Sequence, residues 1–161
     1  MIRNNVTRLL DSREIPYEVF ELPRKKLSAL EAASYLGVSP GLVYKTIVVT
    51  RQYRGKPLLV LIPADKEVDL KALARFLGEK KVQLPTERQA EALTGLQAGG
   101  ISPLALLNRG FQVVIDSSAG SRPEIYISGG QRGLNLRLPV AALISLTGAR
   151  LAGISAFSEP T

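Results

Sequence analysis

The 161-residue sequence contains no cysteine and no histidine. The first absence excludes a disulfide framework and every thiolate site, and it suits a reducing compartment. The second excludes Ser-His-Asp and Cys-His catalysis and nearly all catalytic zinc sites. Chemistry is left to carboxylates, lysine, hydroxyls and backbone amides. Aromatic residues make up only 6%. Tyr17, Phe20, Tyr44 and Tyr126 fall at predicted strand positions, which suits a core better than a base-stacking platform. No apolar run approaches the length of a membrane span, and Met1–Val6 lacks the apolar stretch of a signal peptide. The longest run, Pro57–Pro63, suits a buried strand. The expectation is a soluble, cytoplasmic protein without a membrane partner.

What is present is an ordinary globular composition, 45% hydrophobic and 22% charged, at the length of one domain. A chain of this size buries roughly 70% of its unfolded surface, so it needs no staple. Lys and Arg number 21 against 14 Asp and Glu, a net charge of +7. That surplus favours a polyanionic partner. Thirteen of the 21 cations are Arg, whose planar fork suits phosphate better than an ammonium does.

Residues 2–13 carry Ile2, Val6, Leu9 and Leu10 at helical spacing, and Ile15-Pro16 ends the pattern. Tyr17–Leu22 alternates as a strand, and Pro23–Leu27 reads as an exposed loop. Ser28 and Glu31 form a capping box for a helix that stops at Gly37. Ser39-Pro40 restarts a helical turn. Tyr44–Arg51 and Leu58–Ile62 read as strands joined by a turn containing Arg54-Gly55; the second is apolar at five consecutive positions, so both its faces should be covered. Asp69 caps a helix with Leu70, Leu73, Ala74 and Leu77 on one side, ended by Gly78. Val82–Leu84 is a short strand, and Thr86 with Gln89 opens a helix to Leu93. Gln112–Asp116 and Glu124–Ser128 are predicted to form a hairpin. Leu134–Leu138 is a further strand, and Pro139–Leu146 a short helix. The pattern predicts a single α+β domain over 1–157, with a mixed or antiparallel, barrel-like sheet and flanking helices, and a frayed tail at 158–161.

Three segments offer chemistry. Lys45 heads the apolar run Tyr44–Thr50. Its ammonium is either a strand-end group that snorkels to water or the charge of a polar pocket, because an unpaired buried ammonium is very costly. Ala98-Gly99-Gly100-Ile101-Ser102-Pro103 allows close backbone approach; it is either an oxyanion or phosphate cradle or a plain turn. Ser128-Gly129-Gly130-Gln131-Arg132-Gly133 is a tight hairpin turn, in which Ser128 could hydrogen-bond a substrate and Arg132 hold phosphate. Asp65, Glu67 and Asp69 are explained as cap and first-turn residues, and no carboxylate pair stands out.

Together, Leu36-Gly37-Val38 followed by Val43-Tyr44-Lys45-Thr46-Ile47-Val48, then Gly99–Leu104, then Ser128–Leu134, resemble the YbaK/EbsC-type aminoacyl-tRNA deacylases. These are relatives of the editing domain inserted in bacterial prolyl-tRNA synthetases. The resemblance covers nearly the whole chain. It implies hydrolysis of the ester on the 3′-terminal ribose of a mischarged tRNA, such as Cys-tRNA(Pro) or Ala-tRNA(Pro). It implies Lys45 facing the pocket, the Gly99–Pro103 loop opposite, and no metal or other cofactor. tRNA is the implied partner, with prolyl-tRNA synthetase as a second one. An aminoacyl ester is already activated, so positioning and donors aimed at the oxyanion suffice. On this basis Lys45 and the amides of Gly100 and Ile101 are the expected catalytic groups. Thr46, Gly99, Ser102, Pro103, Ser128, Gly129 and Arg132 are the expected substrate-binding ones. Two departures stand out: Glu21–Lys26 occupies the place of a His-containing stretch in many relatives, and Asn135 that of a frequent acidic residue. They motivate an alternative, a non-catalytic module that binds tRNA or an aminoacyl ligand on the same fold.

Overall fold

The computed structural model describes residues 2–52 and 55–157. Arg54, placed by the sequence in a turn, and the expected tail at 158–161 lie outside the described residues.

Local signals in the sequence set the helices. Helix α1 (Asn5–Ser12) begins at Asn4, whose side chain accepts from the Thr7 amide at 3.0 Å, and Thr7 Oγ1 accepts from the Asn4 amide at 2.9 Å. Strand β1 is Glu18–Glu21. Helix α2 (Ala29–Leu36) carries the Ser28–Glu31 capping box and ends at Gly37 with φ +69°, where a left-handed backbone favours glycine. A 3-10 turn, Pro40–Leu42, leads into β2 (Tyr44–Arg51), followed by β3 (Leu58–Pro63) and β4 (Lys66–Val68). Helix α3 (Leu70–Leu77) is capped by Asp69, which accepts from the Ala72 amide at 3.0 Å. Strand β5 is Val82–Gln83, and α4 (Glu87–Thr94) opens on the Thr86–Gln89 box. Then come β6 (Gln112–Asp116), β7 (Glu124–Ser128), β8 (Leu134–Pro139), α5 (Val140–Thr147), β9 (Arg150–Ala152) and β10 (Ser155–Phe157). Among the described residues no helix is long and apolar enough to cross a membrane.

The strands form a five-stranded sheet ordered β5-β2-β3-β6-β9, a three-stranded sheet β1-β8-β7, and the pair β10-β4. These do not close into a barrel. β2 runs antiparallel to β3, while β6 runs parallel to both β3 and β9. The expected hairpin of Gln112–Asp116 with Glu124–Ser128 is therefore corrected. β7 pairs antiparallel with β8 in the other sheet, and a 3-10 turn over Ser117–Ser121 carries the chain across. The physical reason lies in Val113, Val114 and Ile115, buried on both faces. A central parallel strand covers both faces, and an edge hairpin would not.

The central strands divide the core. Leu59, Leu61, Val113 and Ile115 pack with α1 and the three-stranded sheet, through Val6, Leu10, Ile127 and Leu136. Leu58, Val60, Ile62 and Val114 pack on the other side against Leu73 and Ala74 of α3. This is the period-two alternation of a strand, applied to one that is apolar at every position. Leu61→Ala should lower stability by about 2–5 kcal/mol, the usual range for a fully buried leucine. Urea denaturation with an unchanged m-value checks it.

Candidate active site

Three loops meet at the amino-terminal end of β2 and enclose a cavity of about 200 Å³. β2 supplies Tyr44, Lys45 and Thr46, the glycine loop supplies Ala98, Gly99 and Ile101, and the β7–β8 turn and the start of β8 supply Ser128 and Gly133–Asn135. The segment before α2 closes the remaining side with Leu22 and Leu27, joined by Ala29, the first residue of α2. That segment was expected to be an exposed loop. Its charged residues Arg24, Lys25 and Lys26 are exposed, but Leu22, Pro23 and Leu27 are half-buried. The Leu22 amide donates to the Gly133 carbonyl at 2.9 Å, which pulls the loop onto the turn. Leu22, Leu27, Leu134 and Asn135 thus join the site without having been singled out as site residues. The apolar spacing of Leu22 and Leu27 around a charged triplet was the one local signal.

Lys45 is half-buried, and its Nζ donates to the Ala64 carbonyl at 3.3 Å. Burial pushes its pKa below the ordinary lysine value of 10.5, while Glu67 and Asp65 pull part of it back. Desolvation disfavours the ammonium and the two carboxylates favour it; here the first effect wins. Tyr44, on the opposite face of β2, is buried, and its hydroxyl lies 2.7 Å from Ser118 Oγ. Ser118 in turn donates to the buried Asp116 carboxylate, which also accepts from the Ile154 amide at 3.2 Å. These bonds hold the Asp116 pKa below its ordinary value despite the opposing effect of burial.

The glycine loop is tightly constrained. Gly100 is buried, and a Cβ there would lie 2.9 Å from backbone atoms of Gln131 and Arg132. Its amide donates to the Gln97 carbonyl at 2.8 Å, so it is not free to meet an oxyanion. Among the described residues the amides of Gly99 and Ile101 have no intramolecular partner, and both residues border the cavity. Of the expected donor pair, Ile101 borders the cavity, while the turn that brings Gly100 against the second loop also closes its own hydrogen bond.

Of the other expected residues, Lys45, Thr46 and Ser128 border the cavity, while Ser102, Pro103, Gly129 and Arg132 do not. Ser102 is buried, and its Oγ accepts from the Leu104 amide at 3.2 Å, with Pro103 opening the 3-10 turn that follows. Gly129 lies where a Cβ would come within 2.6 Å of Leu134 Cγ. Arg132 Nε donates to the Ala98 carbonyl at 2.7 Å. Ser128 Oγ accepts from the Gly130 amide at 3.3 Å. Thr46 Oγ1 and Asn135 Oδ1 are buried without a hydrogen-bond partner among the described residues, a state that is costly unless water or a ligand satisfies it.

The lowered Lys45 pKa makes stability depend on pH. The unfolded chain binds the lysine proton more tightly, so the folded protein gains stability as pH rises from the lowered value toward 10.5. Unfolding free energies of wild type and Lys45→Met, measured across that window, should differ in slope: only the wild type carries this gain. Gly100→Ala should cost about 1–3 kcal/mol, the range for forcing an extra methyl group into a filled site. Thermal denaturation checks it.

Comparison with known proteins supplies the context. The model of the aminoacyl-tRNA editing domain matches residues 25–146. The protein provisionally named Cys-tRNA(Pro)/Cys-tRNA(Cys) deacylase EbsC, from Enterococcus faecalis, is 33% identical over 95% of this chain and 93% of its own. A proline–tRNA ligase of Thermodesulfovibrio yellowstonii is 32% identical over 76% of this chain, which corresponds to 20% of the ligase. The crystal structure of a provisionally assigned trans-editing enzyme for prolyl-tRNA synthetase superposes with a TM-score of 0.79 at 25% identity, covering 97% of this chain and 99% of the other. The chain belongs to the aminoacyl-tRNA editing domain family.

Proposed function

We propose that this protein is a trans-editing deacylase that hydrolyses the ester of a mischarged tRNA(Pro) bearing a small amino acid, cysteine or alanine. The observation that carries the reading is the convergence of Lys45 with the unpartnered Gly99 and Ile101 amides on one cavity. Water attacks the ester carbonyl carbon, and the carbonyl electron pair becomes an oxyanion. Collapse of that intermediate expels the ribose 3′ oxygen, which takes a proton, leaving free amino acid and tRNA. The two amides and the Lys45 ammonium are donors for the developing negative charge, where preorganised dipoles act most strongly. Thr46 and Ser128 orient the substrate or the water. The Leu22, Leu27 and Ala29 side of the cavity suits a short apolar side chain. The net charge of +7 favours association with the polyanion. Likeness to one segment of proline–tRNA ligases supports prolyl-tRNA synthetase as a partner in the same task.

Incubating the protein with Cys-, Ala- and Pro-charged tRNA(Pro) and following ester loss tests the proposal. Cys- or Ala-tRNA(Pro) should be hydrolysed well ahead of Pro-tRNA(Pro). Lys45→Ala should be slower by about 10²–10³-fold, the usual loss on removing one oxyanion donor. No acceleration on any of the three, with wild type and Lys45→Ala alike, sinks the reading. Salt-dependent tRNA binding without turnover would instead mark a non-catalytic binding module.

A further inference from the structure

We propose that Arg132 is a positioning residue, whose guanidinium locks the glycine loop in the conformation that presents the Gly99 and Ile101 amides to the cavity. Its consequence for catalysis rests on the deacylase reading above; its geometry does not. Arg132 does not border the cavity. Its Nε instead donates to the Ala98 carbonyl at 2.7 Å, one residue before Gly99. One residue after Gly99, Gly100 lies against the main chain of Gln131 and Arg132. The β7–β8 turn therefore grips the loop on both sides of Gly99, by a side chain before it and by backbone packing after it. The loop's other bonds complete the frame: the Ala98 amide donates to Glu91 Oε2 at 2.8 Å, and the Gly100 amide to Gln97.

A clamp holds only if the clamping element is itself fixed. Gly129 donates to the Leu134 carbonyl at 2.9 Å across the turn. Asn4 Nδ2 reaches over from the start of α1 to the Gly129 carbonyl at 2.8 Å and Gln131 Oε1 at 3.1 Å. A glycine pair has the largest backbone freedom to lose, so a loop containing Gly99-Gly100 presents aimed donors only if it is tethered. A guanidinium suits this task because its planar fork is pre-organised and always charged.

Arg132→Met keeps the unbranched stem out to the position of Nε and removes both charge and donor. Three readings are taken against wild type: amide hydrogen exchange at Ala98 and Gly100, the two bonded amides of the loop, kcat for ester loss from mischarged tRNA, and the salt dependence of KM. Exchange at the loop should rise, and kcat should fall, each on the order of tenfold to a hundredfold, the worth of a hydrogen bond to a charged group. KM and its salt dependence should stay as in wild type. Unchanged exchange with unchanged kcat overturns the proposal. So does a salt slope shallower by about 0.7–0.9, which marks a phosphate contact. If Arg132→Met fails to fold, Arg132→Lys, which keeps the charge and loses the planar fork, is read in the same way with a smaller loss expected. A wild-type protein without turnover removes the deacylase reading, and the exchange measurements then decide alone whether the clamp exists.

Discussion

Two backbones meet at Gly100, and the site depends on that contact. There is no space for a Cβ between this residue and the main chain of Gln131 and Arg132. The close approach joins two segments far apart in the sequence into one wall of the cavity. The Gly100 amide is bonded to Gln97, and its neighbours on either side border the cavity. Leu22, Arg24 and Leu27 come in from a third segment: Arg24 packs over Gly133, and Leu27 lies against Gly99. Absence of side-chain bulk at three glycines is what lets three loops share one small space.

Beside this wall stands one half-buried ammonium. A lysine at a strand end could reach water, and Lys45 does not fully do so: burial lowers its pKa. Its partners are a carbonyl and two nearby carboxylates rather than a direct ion pair. The ammonium therefore keeps unused donors, since a hydrogen bond to one carbonyl leaves two N–H groups available. A fully paired lysine would be electrostatically quiet, and an unpaired one in the core would be too costly to keep. Lys45 lies between these two extremes.

Much of this was legible in advance, for reasons specific to each residue. Ser28, Asp69 and Thr86 cap helices where expected, because capping needs only residues three positions apart. Gly37 and Gly78 end helices in the left-handed conformation, as a residue without a Cβ can. Five consecutive apolar residues from Leu58 to Ile62 required cover on both faces and have it. The β6–β7 hairpin failed because adjacency along the chain is a weak guide once a strand is apolar enough to go to the centre of a sheet. The turn that carries Arg132 gives no sign in the sequence of its bond to the Ala98 carbonyl.

The sequence by itself determined which chemistry was open: without Cys or His, only lysine, hydroxyls, carboxylates and amides remain. It also determined the local elements, since caps, turns and alternation are written within a few residues. Only the tertiary structure decided which amides are free, what Arg132 grips, and that Leu22 and Leu27 line the cavity. Those outcomes depend on contacts between residues tens of positions apart. A glycine's open side is not known until the chain that fills it is in place.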